Sequence, residues 1–492
     1  MLQGMTAVSV FGAYVAGRSC TSGPAREIRS PYDGRVVAVV HEAGDAEIDE
    51  ALSAAARAVT QTRALSSQER AIICAEVGRQ VAACRDDLAR SICDEAGKPI
   101  QDAQAEVDRA LFCFELAAAE ASRSAAEGEL LPMDLRPAGR SRIGLVRRVP
   151  VGAVAAISPF NFPLNLAVHK VAPALACGCP IVLKPASQTP TPVLRLAAMI
   201  AQTSWPKAAL SVLPAGRAVA DRLVTDDRCG LLSFTGSAVV GWDMKARAGR
   251  KRVVLELGGN AAVLIDDSIQ REDLDAIVEK LVYGAFSYAG QKCISVQRIY
   301  VVTGSDSGLF EEFQRRFVAA TAAARCGDPR DPEVLVGPMI DAQNAQRIEG
   351  WVEQALHAGA VALYRGGRQG NVVAPTVLSR VSRDAAVCCE EAFGPVCVVE
   401  QVPSFSAGIA AINDSRFGLQ AAVFTRDLGH SLRAFDELIV GAVILNDAPS
   451  FRMDHMPYGG VKDSGLGREG IRCAIADMTE PRLLVASALL DR

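Results

Sequence analysis

What the chain lacks narrows its class before any motif is read. Its five histidines, His41, His169, His357, His430 and His455, are scattered and form no metal-ligand spacing. Among 14 cysteines there is no CxxC; Cys177 and Cys179 are spaced CxC, and Cys388 and Cys389 adjoin, which is poor geometry for a disulfide staple. Neither a zinc site nor a disulfide scaffold is expected. Polar residues, Gly or Pro interrupt every apolar run before it reaches about 18 residues, the length needed to span a bilayer. The opening MLQGMTAVSVFGAYVAG has no basic segment, long apolar stretch or small-residue cleavage site, so a cytoplasmic location is the default expectation. Internal repeats, low-complexity linkers and long blocks of one charge are missing too. With 52 basic and 56 acidic side chains the net charge is −4, and neither nucleic acid nor a membrane surface is an expected partner.

Half of the 492 residues are apolar, ample for a large core and too long a chain for one typical domain. After a short β start, residues 46–62, 67–84, 85–96 and 101–126 are Ala-rich with apolar residues recurring at three and four, which predicts helices. Residues 141–148 read as a strand. From 150 the pattern alternates: strands at Val151–Ile157, Pro180–Leu183, Leu210–Leu213, Leu231–Phe234 and Val253–Leu257, with helices at Leu164–Leu175, Thr191–Thr203, around Val219–Val224 and from Ser237. Such alternation predicts a parallel α/β sheet covered on both faces. A second series follows: helices at Asp273–Phe286, Phe310–Ala324, Ala342–Ala358 and Phe405–Asp414, and strands at Arg298–Val302, Val396–Glu400 and Ala442–Leu445. Near the end, Arg482–Ala486 reads as a strand with no local partner, which must pair with something distant or with another subunit.

Four short stretches suggest chemistry. Phe286-Ser-Tyr-Ala-Gly-Gln-Lys-Cys-Ile places Cys293 after a glycine turn, where a thiol is exposed; Lys292, if it faces the same way, would favour the thiolate. Leu255-Glu256-Leu257-Gly258-Gly259-Asn260 puts a carboxylate at the end of an apolar strand, where desolvation raises its pKa toward that of a general base. In Ser158-Pro159-Phe160-Asn161-Phe162-Pro163 the Asn161 amide is a rigid donor suited to an oxyanion. Phe234-Thr-Gly-Ser-Ala-Val-Val-Gly241 is a strand–glycine–helix turn able to cradle a pyrophosphate, although GxGxxG is absent. Each alone has a plain structural reading: a core cysteine, a carboxylate bonded to backbone N–H, a helix cap and an ordinary turn.

Together they resemble the aldehyde dehydrogenase superfamily over nearly the whole chain. Further matching stretches are Val182-Leu-Lys184-Pro-Ala-Ser187-Gln-Thr-Pro, Gly327-Asp-Pro, Gly337-Pro-Met, Glu390-Glu391-Ala-Phe393-Gly394-Pro395 and Met456-Pro-Tyr-Gly-Gly-Val-Lys-Asp-Ser-Gly-Leu-Gly467-Arg-Glu. The resemblance implies an α/β fold with two parallel-sheet, Rossmann-type domains and a small β oligomerisation flap. Residues 1–128 and 147–257 would form the dinucleotide domain, 258–475 the catalytic domain, and 129–146 with 476–492 the flap of a homodimer or homotetramer. It also implies that Cys293 attacks the aldehyde and that Asn161 and the Cys293 N–H hold the oxyanion. Glu256 would activate the hydrolytic water, with Lys170 on a proton path. NAD or NADP would lie against Ser158, Phe160, Lys184, Ser187, Gly216, Phe234, Gly236, Ser237, Gly241, Leu257, Glu391 and Phe393. Ser187 stands where many NAD-preferring members carry Glu, so a 2′-phosphate is permitted. Glu256 argues for water, not coenzyme A or phosphate, as acyl acceptor.

Three cations, Arg109, Lys292 and Arg452, with Phe162, are placed by the same resemblance near the substrate, which points to a small anionic aldehyde. The stretch RMDHMPYGGVKDSG looks closest to the phosphonoacetaldehyde and lactaldehyde group, although Phe162 stands where some phosphonate members have His. A semialdehyde such as succinic semialdehyde is the alternative substrate. A non-catalytic scaffold is the alternative class, against which stands the survival of nucleophile, base and donor together.

Overall fold

The computed structural model describes residues 8–124, 128–304 and 308–487. Five short strands between Ser9 and His41 come first, and four helices follow: α1 (Asp45–Ala64), α2 (Ser67–Ala83), α3 (Arg85–Ala96) and α4 (Ile100–Ser124). The expected helix over 101–126 starts one residue earlier, and its residues 125 and 126 lie outside the described ones. Helix α1 buries Ile48, Ala51, Leu52, Ala55 and Ala58, a stripe at three- and four-residue spacing. Helix α2 begins with a capping box in which the Ser66 hydroxyl accepts from Glu69 N–H and the Glu69 carboxylate accepts from Ser66 N–H.

The first sheet has a parallel core of five strands, in spatial order Arg252–Glu256, Cys229–Thr235, Ala153–Ile157, Ile181–Lys184 and Leu210–Val212. Antiparallel neighbours extend it: Gly465–Leu466 at one side, Ala13–Val15 and Arg18–Cys20 at the other. Ala153–Ile157 and Ile181–Lys184 are buried at every position, which is why they read as unbroken apolar runs. The chain steps outward from Ala153–Ile157 through the next two strands. It then returns to lay Cys229–Thr235 on the other side of the first. That reversal is a topological switch point, and the crevice outside it is where open α/β sheets bind ligands. Register places Ile157 beside both Lys184 and Phe234, and Thr235 beside Glu256. The candidate residues therefore share one carboxyl edge.

The second sheet runs Val361–Arg365, Thr376–Ser379, Val396–Val402, Arg298–Val302, Ala262–Ile265, Gln420–Phe424 and Ala442–Leu445, parallel apart from the first pair. The strands at 262–265, 361–365, 376–379 and 420–424 escaped the sequence reading; runs of four or five residues are too short to show a clear period of their own. The third sheet is antiparallel: Gly128–Pro132, Arg142–Pro150 and Thr479–Ser487. The strand anticipated at 482–486 finds its partner within the chain, pairing from Thr479↔Pro150 to Ser487↔Arg142. Arg142–Pro150 continues past residue 146, so one strand crosses the expected boundary between flap and dinucleotide domain.

The core beneath the second sheet reaches the candidate site. Phe317 is fully buried, stacked on Phe313 at 5.5 Å and tilted against Phe286 at 6.1 Å, and Phe286 ends the helix α9 (Leu274–Phe286) that leads to Cys293. Phe317→Ala is predicted to cost about 3–5 kcal/mol, read as a fall of several degrees in the thermal melt; an unchanged melt would contradict this packing.

Candidate active site

Asn161 follows the Ala153–Ile157 strand and precedes helix α5 (Asn165–Cys177). It does not cap that helix. The first N–H groups, those of Leu164 and Asn165, donate to the Glu106 carboxylate of α4 at 2.9 and 3.0 Å. The Asn161 side chain is buried, and its Nδ2 donates to the Gln291 carbonyl at 3.1 Å, two residues before Cys293.

Between α9 and Cys293 the backbone turns through three successive left-handed residues, Tyr288 (φ 55°), Ala289 (φ 53°) and Gly290 (φ 67°). Two of them are not glycine, at a cost of about 1–3 kcal/mol each. The surroundings over-determine the turn. Tyr288 donates from its hydroxyl to Ala96 O at 3.2 Å and from its N–H to Leu335 O at 3.0 Å. Gln291 donates to the Tyr288 and Pro338 carbonyls and accepts from Ile340 N–H. Cys293 emerges partly exposed, its Sγ 2.9 Å from the Tyr458 hydroxyl. Burial pushes its thiol up to about 11, while the Tyr458 hydroxyl and the Arg452 charge pull the other way.

The cation that favours the thiolate is thus Arg452, not the adjacent Lys292. Lys292 faces elsewhere: its ammonium donates to Ser287 Oγ and to the Tyr283 carbonyl, over the Tyr283 ring, and burial lowers its pKa to about 8.

Glu256 ends its strand buried, and neither carboxylate oxygen has a hydrogen-bond partner among the described residues. Burial first, and the Glu469 charge second, raise its pKa well above the usual carboxylate range. A Cβ on Gly459 would come within 2.8 Å of Glu256 Oε1, at φ +156°, so only glycine leaves the carboxyl its space. Tyr458 touches the thiol and Gly459 faces the carboxyl. The dipeptide thereby brings residues 256 and 293 to one place, and Asn161 is tied to the loop that carries Cys293, through Gln291.

Behind Glu256 lies a buried charge array. Lys170 Nζ donates to Ser233 Oγ (3.1 Å), Thr235 Oγ1 (2.7 Å) and Glu469 Oε1 (3.1 Å). Arg452 Nη2 donates to Glu469 Oε2 at 3.1 Å, and its guanidinium lies 3.6 Å over the Tyr458 ring. Burial raises the Glu469 pKa, but the Lys170 ammonium leads the charges that hold it down at about 2. Lys170 reaches Glu469 and Thr235, and no direct bond joins it to Glu256 among the described residues. Sequence reasoning assigned no role to Glu469 or Tyr458, although both stand in the quoted stretch that ends at Glu469.

The expected dinucleotide residues line the carboxyl edge. A Cβ on Gly236 would meet the Phe234 ring at 2.5 Å, one on Gly241 the Leu257 side chain at 2.4 Å, and one on Gly258 the Glu391 carboxylate at 2.3 Å. Gly216 and Ser237 stand at the N-caps of α7 (Arg217–Thr225) and α8 (Ala238–Arg247), where backbone N–H groups and the helix dipole favour an anion. Lys184 is buried, its ammonium donating to the Pro185 carbonyl, and Ser187 Oγ donates to Ala215 O at 3.4 Å. The buried Ser158 hydroxyl has no partner among the described residues. Glu391 accepts from Gly259 N–H at 3.1 Å, burial raising its pKa to about 7, and Phe393 packs edge-to-face on Phe160 at 5.9 Å. The glycine cradle, the two helix N-termini and the spare Ser158 hydroxyl fit a dinucleotide.

Arg109, expected at the substrate, already holds a carboxylate: its fork grips Asp454 at 3.0 and 2.7 Å, with its charge 5.8 Å from the Phe162 ring. Its sequence neighbours pair elsewhere, Asp108 with Arg85 and Glu106 with Lys98. Asp454 also meets His169 Nε2 at 2.8 Å, and Cys113 Sγ lies 3.6 Å from that nitrogen. These three groups converge as metal ligands would. The Asp454 carboxylate is already neutralised by Arg109, however, and Arg452 lies 3.3 Å from the same imidazole nitrogen, so two guanidinium groups oppose a cation there.

The pattern of the aldehyde dehydrogenase family matches residues 19–484. The chain is 37% identical over 482 residues to 3-sulfolactaldehyde dehydrogenase of Priestia aryabhattai, covering 98% of this chain and 99% of that protein. It is 36% identical to lactaldehyde dehydrogenase of Methanocaldococcus jannaschii, covering 94% and 97%. The crystal structure of aldehyde dehydrogenase 21 from Physcomitrella patens, in complex with the reaction product succinate, superposes with a TM-score of 0.95 at 39% identity over 98% of this chain and 99% of that one. A partly exposed cysteine, an unpartnered buried carboxyl and a glycine-lined sheet edge thus occur in a chain that follows one family from residue 19 to 484, and it belongs to the aldehyde dehydrogenases.

Proposed function

We propose that this NAD(P)-dependent aldehyde dehydrogenase oxidises a small anionic aldehyde to its carboxylate through a thioester on Cys293. The observation that carries the reading is the meeting of Cys293 and Glu256 at Tyr458-Gly459, with Asn161 bonded to the Cys293 loop at Gln291. With its pKa near 11 the thiol is protonated at neutral pH, so attack on the carbonyl carbon must release a proton. The unpartnered Glu256 carboxyl, in its ionised form, is the acceptor at hand. Asn161 Nδ2 and the Cys293 N–H hold the carbonyl oxygen as it becomes an oxyanion. When bound, the nicotinamide supplies the hydride acceptor. Glu256 gives the thiol proton up to solvent before hydrolysis. It then removes a proton from the water that attacks the thioester; the thiolate leaves and takes that proton back from Glu256, and the product acid ionises to the carboxylate, releasing one proton to solvent. The Lys170–Glu469 pair lies behind Glu256 without a direct bond to it among the described residues. Ser158, Phe160, Lys184, Ser187, Gly216, Phe234, Gly236, Ser237, Gly241, Leu257, Glu391 and Phe393 would hold the dinucleotide.

For the anion, Arg452 is the receptor of choice. It is one aromatic ring away from the nucleophile, and its buried Nε–H has no partner among the described residues. Arg109 is held on Asp454, and Lys292 points to Ser287 and the Tyr283 carbonyl. Two relatives support a charged aldehyde, one named for a sulfonate substrate and one holding succinate; the lactaldehyde relative is named for an uncharged one. Phosphonoacetaldehyde belongs to the same anionic class. Succinic semialdehyde is the second reading, favoured by the bound succinate of the moss enzyme.

We assign the dinucleotide domain to 1–128 and 147–257, the catalytic domain to 258–475 and the flap to 129–146 and 476–492, in a cytoplasmic homodimer or homotetramer. Exposed Leu130, Ile143, Leu145, Leu483, Leu484 and Val485 on the three-stranded sheet support a shared flap. No helix of the described residues is long and apolar enough to cross a membrane.

Glu256→Gln should lower steady-state turnover about 10²–10⁴-fold. In the parent enzyme the base works ionised. Because its pKa is raised, turnover should be lost as pH falls through that raised value and recovered above it; the glutamine variant should lack this limb. Persistence of the same limb would exclude Glu256 as base. Arg452→Ala should lower turnover with every aldehyde, because this charge also favours the Cys293 thiolate, but should raise KM about 10- to 100-fold only for a sulfonate- or carboxylate-bearing one; a KM rise of the same size for propanal would sink the anion reading. Ser187→Glu should raise KM for NADP while sparing NAD, since a carboxylate there repels a 2′-phosphate; parallel changes for both cofactors would place the 2′-position elsewhere.

A further inference from the structure

We propose that the buried Lys98–Glu106 ion pair is a positioning device for the oxyanion donor, locking the Asn161 loop against the Cys293 loop. This rests on the role given above to Asn161. Both charged groups are essentially inaccessible, at 1% and 0% side-chain exposure. Lys98 follows Gly97, the left-handed C-cap of α3, and Glu106 lies on α4. A pair so deeply buried is a poor source of stability, because desolvation offsets the attraction. Its contacts point to another use.

Glu106 divides its carboxylate. One oxygen takes the Lys98 ammonium, and the other accepts the N–H groups of Leu164 and Asn165, fixing the start of α5 immediately after the Asn161 loop. The Lys98 ammonium sits 3.5 Å from the Phe162 ring centroid, beside Asn161, and 4.9 Å from that of Tyr288, within the left-handed turn before Cys293. One cation therefore bridges an aromatic ring from each loop. The bond from Asn161 Nδ2 to the Gln291 carbonyl joins the same two loops from the reactive side. Loss of the cation would free Phe162 and Tyr288 to repack. The Asn161 amide would drift relative to Cys293 with no reacting group removed, and an oxyanion donor tolerates little displacement.

The experiment is a double-mutant cycle on the full-length enzyme with NAD(P) and its aldehyde. Asn161→Ala alone should lower kcat about 10²–10³-fold. Lys98→Met should lower kcat about 10- to 100-fold, with KM for aldehyde and cofactor nearly constant. In the Asn161→Ala background Lys98→Met should have little further effect, because the group it positions is gone. Glu106→Gln retains an acceptor for the two N–H groups but not the ion pair. It should show the same dependence on Asn161, and it serves if Lys98→Met fails to fold. Multiplicative losses, or KM rising with kcat unchanged, would overturn the positioning role. A normal kcat for Asn161→Ala would instead overturn the oxyanion reading itself, and this inference with it.

Discussion

A carboxyl group is buried at the end of a parallel strand with neither oxygen hydrogen-bonded among the described residues, and the site is arranged around that fact. Leaving Glu256 so is costly; a core chosen for stability alone would place an apolar residue there or give the acid a donor. Its neighbours preserve the condition. Gly459 leaves room that any side chain would fill, and Glu469 adds like charge while being held ionised by Lys170 and Arg452. Two nearby carboxyls are thus driven apart, one held down at about 2 and the other raised, the division expected where one group must carry protons and the other must not.

The thiol side is built with comparable constraint. Three successive left-handed residues are held by Tyr288, Gln291 and their carbonyl partners, so Cys293 is presented by a turn that cannot relax into helix. Tyr458 then connects the halves, its hydroxyl on the thiol and its ring beneath Arg452. One guanidinium therefore serves two groups, favouring the thiolate and restraining Glu469, and its Nε–H has no partner among the described residues.

Much of this was legible in the sequence, for local reasons. The strand limits Arg298–Val302 and Ala442–Leu445 follow from apolar runs bounded by polar residues. The placing of Asn161, Lys184, Gly236 and Glu256 at strand ends follows from strand–helix alternation. The illegible parts depend on contacts across long stretches of chain. Lys292 adjoins the nucleophile in sequence but donates to Ser287. The partner of Arg109, Asp454, lies 345 residues away, and that of Lys170, Glu469, lies 299 away. Asn161 could be read as a cap, but Glu106, on α4 and 58 residues before Leu164, holds those N–H groups. The four missed strands of the second sheet were too short to show a period, and the terminal strand's partner lay more than 300 residues upstream.

The central claim is that Cys293 carries the acyl group and Glu256 releases it. The most direct measurement is intact and peptide mass analysis of Glu256→Gln, acid-quenched after mixing with NAD(P) and an anionic aldehyde. The account predicts one acyl group per chain on the peptide containing Cys293, formed more slowly than in the parent enzyme because Glu256 also takes the thiol proton, and absent from Cys293→Ala. An acyl group on another residue, or none while reduced cofactor accumulates in stoichiometric amount, would contradict it.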